Sequence, residues 1–592
     1  MRPSAPGWAA PAAVWTLVLA LPLAASPTAS DAFLPLRLLV LGVGLGLGLF
    51  ARHSGRLPRP VVVATGAALV AFVLAALAGA TPLLSLLGRY PRYEGLPVAL
   101  GYAGAAVVGA GLLGEASGGL RRHALNALVL AGLVNAVVAT VQWVSDPDAR
   151  VTGTLGNSTT LATFSLICLA MAGAALTVRD WWLWAGVAAS VLCLVLSASR
   201  GGLVAGIVAA LALVAVRLGG VRRMRWWWPV AAAAALVLAA WLAPGARARL
   251  SGTTPFADAT IGGRLLLWQE TVRLVGAGPW LGVGPSRFVD SIGAFHTAAW
   301  AAQVGPYAPP DSPHDVVLQV LASAGVVGLV AAVGLGVAIL VALWRARPWD
   351  DWQVGAILAG LGVLASYATS FTDPVTLTVL ALVVGGAVAI RTPAALAGRG
   401  ATARRVAAAG ALCLGVFLGG TALVAEARYS AALDGADSTV RLLAVAPTRP
   451  WDADLARRVG YTAARLAEAG RARPAAFVAP TRAACDDLPG SVECLQSLAD
   501  LEDLSGDHAG ALASLSRAEA LDPTNVDTIL RQGIALSELG RYPEAIARLQ
   551  AAAALRPSAP EPWDDLARVH ASRGDTAEAA AARAKAEQLR RR

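Results

Sequence analysis

Three ionisable side chains in this apolar sequence have the types needed for group transfer from a phosphate ester. Arg200 follows Ser-x-Ser in "SASRGG", and Arg264 precedes Trp268 by one helical turn. His314 lies in "DSPHDVVLQVLASAGVVGL", at the start of a long apolar run. An arginine keeps its charge and binds phosphate oxygens bidentately. A histidine, with an ordinary pKa near 6.5, can accept a proton from an attacking hydroxyl. The three residues therefore predict a site that binds pyrophosphate and activates a nucleophile.

Further candidates for substrate binding lie near the ends of the same apolar runs. They are Arg89 and Arg92 in "GRYPRYEGLP", Asn157 in "GTLGNSTT", and Trp268. Gly201 and Gly202 follow Arg200, and the conformational freedom of glycine is expected to let the backbone approach a ligand there. Simpler roles stay open, because an arginine beside a membrane often contacts lipid phosphate and a lone histidine can cap a helix.

Metal and cofactor signatures are missing from the sequence. No His/Cys group has zinc-ligand spacing, and no glycine-rich phosphate loop with a lysine occurs. The Asp-Pro-Asp at 146–148 is interpreted as a loop turn. No metal and no cofactor are expected.

Composition indicates a polytopic membrane protein. Of the 592 residues 56% are hydrophobic and 15% charged, and the mean hydropathy is +0.60. Soluble domains carry about 25% charged residues. The net charge of +10 is attributed to cytoplasmic loops and lipid phosphates and not to nucleic acid.

Apolar runs long enough to cross a bilayer predict about thirteen helices, since a span needs roughly 20 residues. They lie near 11–27, 34–51, 61–80, 97–114, 125–144, 158–177, 181–198, 201–217, 227–243, 315–344, 353–371, 375–391 and 405–426. The first run precedes "AASPTAS" and could instead be a cleaved signal peptide, which would leave twelve. The middles of the runs are nearly free of charge, which argues against an ion or proton transporter.

Arginine-rich loops fix the expected orientation. Loops 51–60, 118–124, 217–225, 344–351 and 391–405 fall on one side, which the positive-inside rule makes cytoplasmic. The large loop 244–314 and everything after 426 then lie outside. Arg200, Arg264 and His314 are accordingly predicted to face the extracytoplasmic space.

The C-terminal part repeats with a period of 34 residues. Gly506, Gly540 and Gly574 begin equivalent turns, and Ala511, Ala545 and Ala579 keep the same step. The pattern closely resembles the tetratricopeptide repeat, with 427–505 as a degenerate beginning, and such solenoids mostly bind proteins. Cys485 and Cys494 flank "DDLPGSVE", and a disulfide between them is compatible with an oxidising compartment.

Taken in order, the membrane-part motifs resemble the O-antigen ligase and polymerase superfamily over about 80–426. The resemblance rests on the arginine after Ser-x-Ser, the Arg264–Trp268 pair, "GVGPSRF", "PHDVVLQVLASAGVVGL" and the asparagine of "GTLGN". It implies a metal-independent, GT-C-like glycosyltransferase of the bacterial cytoplasmic membrane that uses a polyprenyl-pyrophosphate-linked glycan. Arg200 and Arg264 match the essential arginines of the family, and His314 matches its essential histidine. Where the family usually has Asn after this histidine, the chain has Asp315, which could raise the histidine pKa or simply cap the helix.

The sequence thus predicts an all-α protein with two domains. Residues 1–426 form a transmembrane glycosyltransferase domain and residues 427–592 an extracytoplasmic tetratricopeptide-repeat domain, with clear repeats at 506–592. Expected partners are the lipid-linked glycan donor, membrane lipid, a glycan or protein acceptor, and a protein on the repeats. A ligase, a polymerase, a protein O-glycosyltransferase and a non-enzymatic scaffold stay open as alternatives.

Overall fold

The protein is represented by a computed structural model that describes residues 7–26, 28–51, 53–90, 93–114, 118–148, 150–217, 241, 247, 257–304, 310–392, 400–434 and 437–591. Most of these residues are helical, and the strands among them form one two-stranded ribbon of β1 (Gly55–Arg56) and β2 (Ile390–Arg391).

Twelve of the predicted spans coincide with helices. Most predicted span ends lie within a few residues of the observed helix ends. The helices are α1 (Ala9–Leu23), α2 (Leu34–Phe50), α3 (Arg59–Ala78), α5 (Leu96–Leu112), α6 (Gly118–Ser145), α7 (Ser158–Ala175), α8 (Trp181–Leu196), α9 (Arg200–Arg217), α13 (Val316–Arg345), α14 (Asp351–Tyr367), α15 (Pro374–Ala387) and α16 (Ala401–Leu433). Five of these helices, α3, α6, α7, α13 and α16, are both long and apolar enough to cross a membrane. The chain is a multi-pass membrane protein, and the predicted span 227–243 lies almost wholly outside the described residues.

Glycine lets several of these helices approach each other closely. A Cβ placed on Gly42 of α2 would lie 2.5 Å from the Cα of Gly415 in α16. A Cβ on Gly385 of α15 would lie 2.2 Å from the carbonyl oxygen of Ala106 in α5. Membrane helices gain little from the hydrophobic effect between themselves, so small residues that permit close backbone contact stabilise the bundle.

The loops assigned to one side by their arginines meet one another. β1 lies in loop 51–60 and pairs antiparallel with β2, which leads into loop 391–405. Arg121, of loop 118–124, bonds Asp350, of loop 344–351, at 2.8 Å. The Ser54 N–H donates to the carbonyl oxygen of Gly111 at 2.9 Å, and Arg121 Nε donates to that of Leu113 at 2.8 Å, so the two pairs of loops adjoin the same end of α5. These four loops therefore lie at the same end of the bundle, as the alternation predicted. That this end faces the cytoplasm stays a prediction.

Further helices connect the spans at the other end of the bundle. They are α4 (Pro82–Leu87), α10 (Ala257–Ala277), α11 (Phe288–Ser291) and α12 (Ala298–Gln303). The last three belong to loop 244–314. Helix α16 passes residue 426, where the domain boundary was predicted, and continues to Leu433.

The repeat region is a solenoid of paired helices. Its elements are α17 (Thr439–Leu443), α18 (Ala453–Glu468), α19 (Ala475–Asp487), α20 (Val492–Leu504), α21 (His508–Leu521), α22 (Val526–Glu538), α23 (Tyr542–Leu555), α24 (Glu561–Arg573) and α25 (Thr576–Arg590). Gly506, Gly540 and Gly574 adopt positive φ angles at the turns, where glycine lacks the Cβ clash of other residues. Ala511, Ala545 and Ala579 are buried, as the 34-residue pattern predicted, and Cys485 and Cys494 form a disulfide.

Candidate functional site

His314 stands immediately before helix α13. Its backbone has φ +53°, a left-handed conformation that costs free energy for a residue with a Cβ and often marks functional sites. The imidazole ring contacts the ring of Phe371, with 5.6 Å between centroids. The side chain of Asp315 accepts the Leu318 N–H at 2.8 Å and so caps α13. Of the two roles considered for Asp315, capping is the one that this geometry displays.

Helix α10 carries both Arg264 and Trp268. Trp268 Nε1 donates to the carbonyl oxygen of Pro313 at 2.8 Å, so this indole fixes the residue beside His314. Arg264 Nη1 donates to the carbonyl oxygen of Thr369 at 3.2 Å. Burial lowers the pKa of the Arg264 guanidinium, and the positive charge of Arg200 lowers it further. The two arginines are therefore close enough to repel, and a multiply charged anion beside them would relieve that repulsion.

The connection 368–373, between α14 and α15, touches each of the three predicted catalytic elements. Thr369 bonds Arg264, and its side chain lies so close to Gly201 that a Cβ there would be 2.4 Å from Thr369 Oγ1. Phe371 contacts His314. The sequence analysis missed this segment, although the helix-capping pattern of "TDP" marks where α15 begins.

The glycines after Arg200 pack closely against neighbouring segments, and the approach of a ligand to this backbone stays a prediction. Gly201 faces Thr369, and a Cβ on Gly202 would lie 2.5 Å from the Cβ of Ala162 in α7. Their small size lets α9 pack closely against its neighbours. The physical reason is the same as elsewhere in the bundle, where backbone contact requires a missing side chain.

A break in helix α13 ties the large loop to the bundle. Gly325 has φ +61° and ψ −162°, which interrupts the helix. The N–H groups of Val326 and Val327 donate instead to the carbonyl oxygens of Pro279 and Trp280, at 2.8 and 3.2 Å. The turn after α10 thereby satisfies the backbone groups that the break exposes, as an apolar environment requires. This arrangement fixes α10, with Arg264, relative to the start of α13.

An apolar cavity of about 430 Å³ adjoins the 368–373 connection. Helices α3, α5, α13 and α15 form its walls, mostly with aliphatic side chains. Its polar end holds Glu94, whose carboxylate accepts hydrogen bonds from Gln319 Nε2 at 3.0 Å and from the Thr372 hydroxyl. Because Thr372 follows Phe371, this end lies near His314. Gln319 lies within the quoted "PHDVVLQVLASAGVVGL" but was given no role in the sequence analysis, and Thr372 belongs to none of the quoted motifs.

Two other predicted binding residues, Arg89 and Asn157, form hydrogen bonds within the protein. Arg89 borders the apolar cavity, but its side chain is 4% exposed and donates to Asp290 and, at 2.8 Å, to Asp454 of the solenoid. Asn157 caps α7 by accepting the N–H groups of Thr159 and Thr160, at 2.8 and 3.3 Å. Arg92 lies outside the described residues. Among the residues that the structure does describe, no group of three or more His, Cys, Asp and Glu side chains is placed to hold a metal.

These features define a class: a helical membrane protein with neighbouring arginines at one end of its bundle and a large loop that contacts a repeat solenoid. Residues 185–333 match the family model described as O-antigen ligase, and residues 504–564 match a tetratricopeptide-repeat model. The first match includes Arg200, Arg264, Trp268 and His314. Over residues 185–333 the chain is therefore similar to O-antigen ligases, and its C-terminal part carries tetratricopeptide repeats.

Comparison with curated proteins gives no match. Solved structures that resemble part of the chain include "Crystal structure of MamA", which is 17% identical with a TM-score of 0.23 and covers 26% of this chain and 87% of that one. Another, "MamA MSR-1 C2", is 21% identical with a TM-score of 0.24 and covers 30% and 95%.

Proposed function

We propose that the protein transfers a glycan from a polyprenyl-pyrophosphate carrier to a hydroxyl group of a cell-surface acceptor, at the extracytoplasmic face of the bacterial cytoplasmic membrane. One observation carries the proposal. The 368–373 connection joins Arg264, the turn at Arg200 and His314 beside an apolar cavity large enough for part of a lipid chain.

In the proposed reaction the acceptor oxygen attacks the anomeric carbon of the first sugar. The bond between that carbon and the phosphate oxygen breaks, and the polyprenyl pyrophosphate leaves with the bonding electrons. Arg200 and Arg264 stabilise the negative charge on this leaving group, because fixed guanidinium groups need no reorganisation as the charge develops. His314 accepts the acceptor's hydroxyl proton.

The polar end of the apolar cavity supports the same reading. Glu94, held by Gln319 and Thr372, offers carboxylate oxygens where a lipid chain would meet the external site. A carboxylate accepts hydrogen bonds from sugar hydroxyls but repels pyrophosphate. The phosphates therefore belong at the arginine pair, and the sugar or acceptor hydroxyls belong nearer Glu94.

Transfer by purified protein from a lipid-linked donor tests the proposal. Arg264→Lys should lose most activity, because lysine keeps the charge but loses the planar, bidentate donor set. Arg273→Lys, on an exposed position of the same helix, is the matched control and should retain activity. If Arg264→Lys and Arg200→Lys both turn over like the unaltered protein, the arginine pair does not bind the donor.

The acceptor distinguishes the alternatives. In a deletion strain, a missing ligase leaves long glycan chains on the carrier, and a missing polymerase leaves single units. A missing protein O-glycosyltransferase leaves a secreted protein unmodified. If the chain is a scaffold, the Arg200, Arg264 and His314 variants will restore every phenotype of the deletion.

Orientation can be tested separately. A phosphatase that is active only outside the cytoplasm, fused after residue 592, should be active. An active cytoplasmic reporter at the same position would overturn the proposed location of the site.

A further inference from the structure

A second cavity, of about 570 Å³, lies where the solenoid meets the large loop. We call it the junction cavity. Its walls include Tyr90, Tyr429 of α16, loop residues between 289 and 301, and solenoid residues between 457 and 531. Tyr90 and Val289 also border the apolar cavity, so the two cavities share a wall. Its volume lies within the range of about 300–1,000 Å³ that is usual for ligand sites.

The loop closes the junction cavity at two places along the solenoid. At one, Gly490 lies so close to the loop that a Cβ would be 2.5 Å from the carbonyl oxygen of Asp290. At the other, Ala301 packs with Val526, Ile529 and Ala552 of the solenoid. An extended peptide lying along the repeats would collide with both contacts. The space between them suits a compact ligand.

The lining combines planar polar groups with aromatic rings. Arg531 holds Asp500 and Asp527, and Gln496 Nε2 donates to Asn525 Oδ1 at 3.1 Å. Tyr461 is 50% exposed and borders the cavity. Paired charges of this kind offer several acceptors and donors without a large excess of one sign, and an aromatic face can pack against the C–H groups of a sugar ring.

A buried nitrogen in this wall lacks a partner. His296 is 5% exposed, and its Nδ1 lies 2.9 Å from Asp522 Oδ2. Its Nε2 is buried and has no hydrogen-bond partner among the described residues. The imidazole stacks on Trp300, with 4.9 Å between centroids, which fixes the ring plane. A buried nitrogen without a hydrogen bond raises the free energy of the folded protein. A ligand hydroxyl in the junction cavity would supply this bond.

The junction cavity is also linked to the arginine pair. Glu270 of α10 accepts hydrogen bonds from the N–H and hydroxyl of Thr297, at 2.9 and 3.0 Å. Thr297 follows His296 directly, and Glu270 lies six residues after Arg264 on the same helix. Six residues of helix span about 9 Å. The wall of the cavity is therefore fixed to the helix that carries a proposed pyrophosphate ligand.

From this arrangement we infer that the junction cavity binds an oligosaccharide, namely sugar rings of the donor glycan that lie beyond the pyrophosphate. The inference rests on the proposed function and deepens it. It assigns the solenoid a direct part in holding the substrate, in addition to any contact with other proteins. Tyr461 supplies a ring face, and His296 and Gln496 supply polar groups for hydroxyls.

Transfer kinetics with two donors test the inference. One donor carries the full glycan, and the other carries a single sugar on the same carrier. Tyr461→Ala should raise the KM for the long donor by about tenfold, leave its kcat unchanged, and leave the short donor unaffected. Tyr461→Phe keeps the ring and should behave like the unaltered protein. Leu504→Ala, an exposed solenoid change outside the cavity, is the control. The inference is overturned if Tyr461→Ala has the same KM as the unaltered protein for the long donor as well as for the short one.

A binding measurement separates this inference from the proposed function. The probe is the oligosaccharide released by mild acid from the strain's own lipid-linked pool. Saturation-transfer NMR on the full-length protein in detergent should show contact with the sugar, and Tyr461→Ala should raise the Kd for the oligosaccharide by about tenfold. Sugar binding at this site would support the inference even if the protein turned over neither donor. A lack of turnover would contradict only the proposed function. Absence of sugar contact, or contact only with peptides of secreted proteins, would refute the sugar site.

Discussion

Replacing Arg89 by alanine should loosen the solenoid from the membrane part and not primarily impair substrate binding. The guanidinium is 4% exposed and bonds Asp290 of the loop and Asp454 of the solenoid, whose side chains are 1% and 0% exposed. It is thus a buried cation between two parts of the chain that are otherwise far apart in sequence. Burial raises the pKa of Asp454, but Arg457 and Arg89 lower it more strongly, to about 2.

The magnitude follows from the bonds that would be lost. Each hydrogen bond to a charged group contributes about 1.5–3 kcal/mol, and breaking a buried ion pair costs about 3–5 kcal/mol. Both aspartates keep a second arginine, Arg287 at 2.7 Å from Asp290 and Arg457 at 2.9 Å from Asp454. We therefore expect a loss near the lower end, about 3 kcal/mol, or roughly 100-fold in the docking equilibrium.

Hydrogen exchange in loop residues 289–296, which the solenoid covers, measures this docking. Arg89→Ala should reduce their protection by about 100-fold, since exchange reports local opening. Arg59→Ala, an exposed change, should leave protection unchanged. Adding Asp454→Ala to Arg89→Ala should restore part of the protection, because the double variant no longer buries an under-compensated carboxylate. If Arg89→Ala leaves protection intact but abolishes donor binding, the residue binds substrate, as the sequence predicted.

Three further results are expected. His314→Ala should lower transfer by about 10²–10⁴ while donor binding persists, and full activity in that variant would remove the histidine from catalysis. Gly325→Ala should cost a few kcal/mol, seen as a lower unfolding temperature, because a Cβ would lie 2.3 Å from Trp280 and φ is positive; Gly334→Ala, with nothing within 4 Å, is the control that should not change. Since the pKa of Asp454 is lowered to about 2, its contribution to docking is complete above its ordinary value of 3.8 and is lost as pH falls toward 2; protection of 289–296 should persist at pH 5, and a loss there would implicate another group.

The helices and their order could be predicted from the sequence. A run of about 20 apolar residues specifies a membrane helix through its own composition, because the backbone must satisfy its hydrogen bonds internally. The repeats were equally predictable, since each helix pair is a local unit and the 34-residue step recurs at Gly506, Gly540 and Gly574. Capping of α13 by Asp315 was considered from the sequence, because a cap acts within a few residues of its own position; Asn157 also caps a helix, although it was named only as a candidate for substrate binding.

Contacts between distant segments could not be predicted in this way. Arg89 was expected to bind substrate because it lies near the end of an apolar run, as the other candidate residues do, yet its ion-pair partners stand 201 and 365 residues away. The break at Gly325 shows in the sequence only as one glycine among many, and the carbonyl groups that satisfy it come from the turn at Pro279 and Trp280.

The sequence by itself therefore determined the helices, the repeats and the candidate residue types for the proposed reaction. The tertiary structure decided which of these residues lie in contact. Local composition and periodicity determine where helices form, because helix hydrogen bonds and caps act between residues only a few positions apart. Three features depend instead on how rigid helices pack. They are the partner of a buried guanidinium, the position of segment 368–373 between Arg264 and His314, and the cavity between the loop and the solenoid. The same local preferences allow many arrangements of these helices. Packing selects one of them, because only contacts that are complementary in both shape and charge lower the free energy of the folded state.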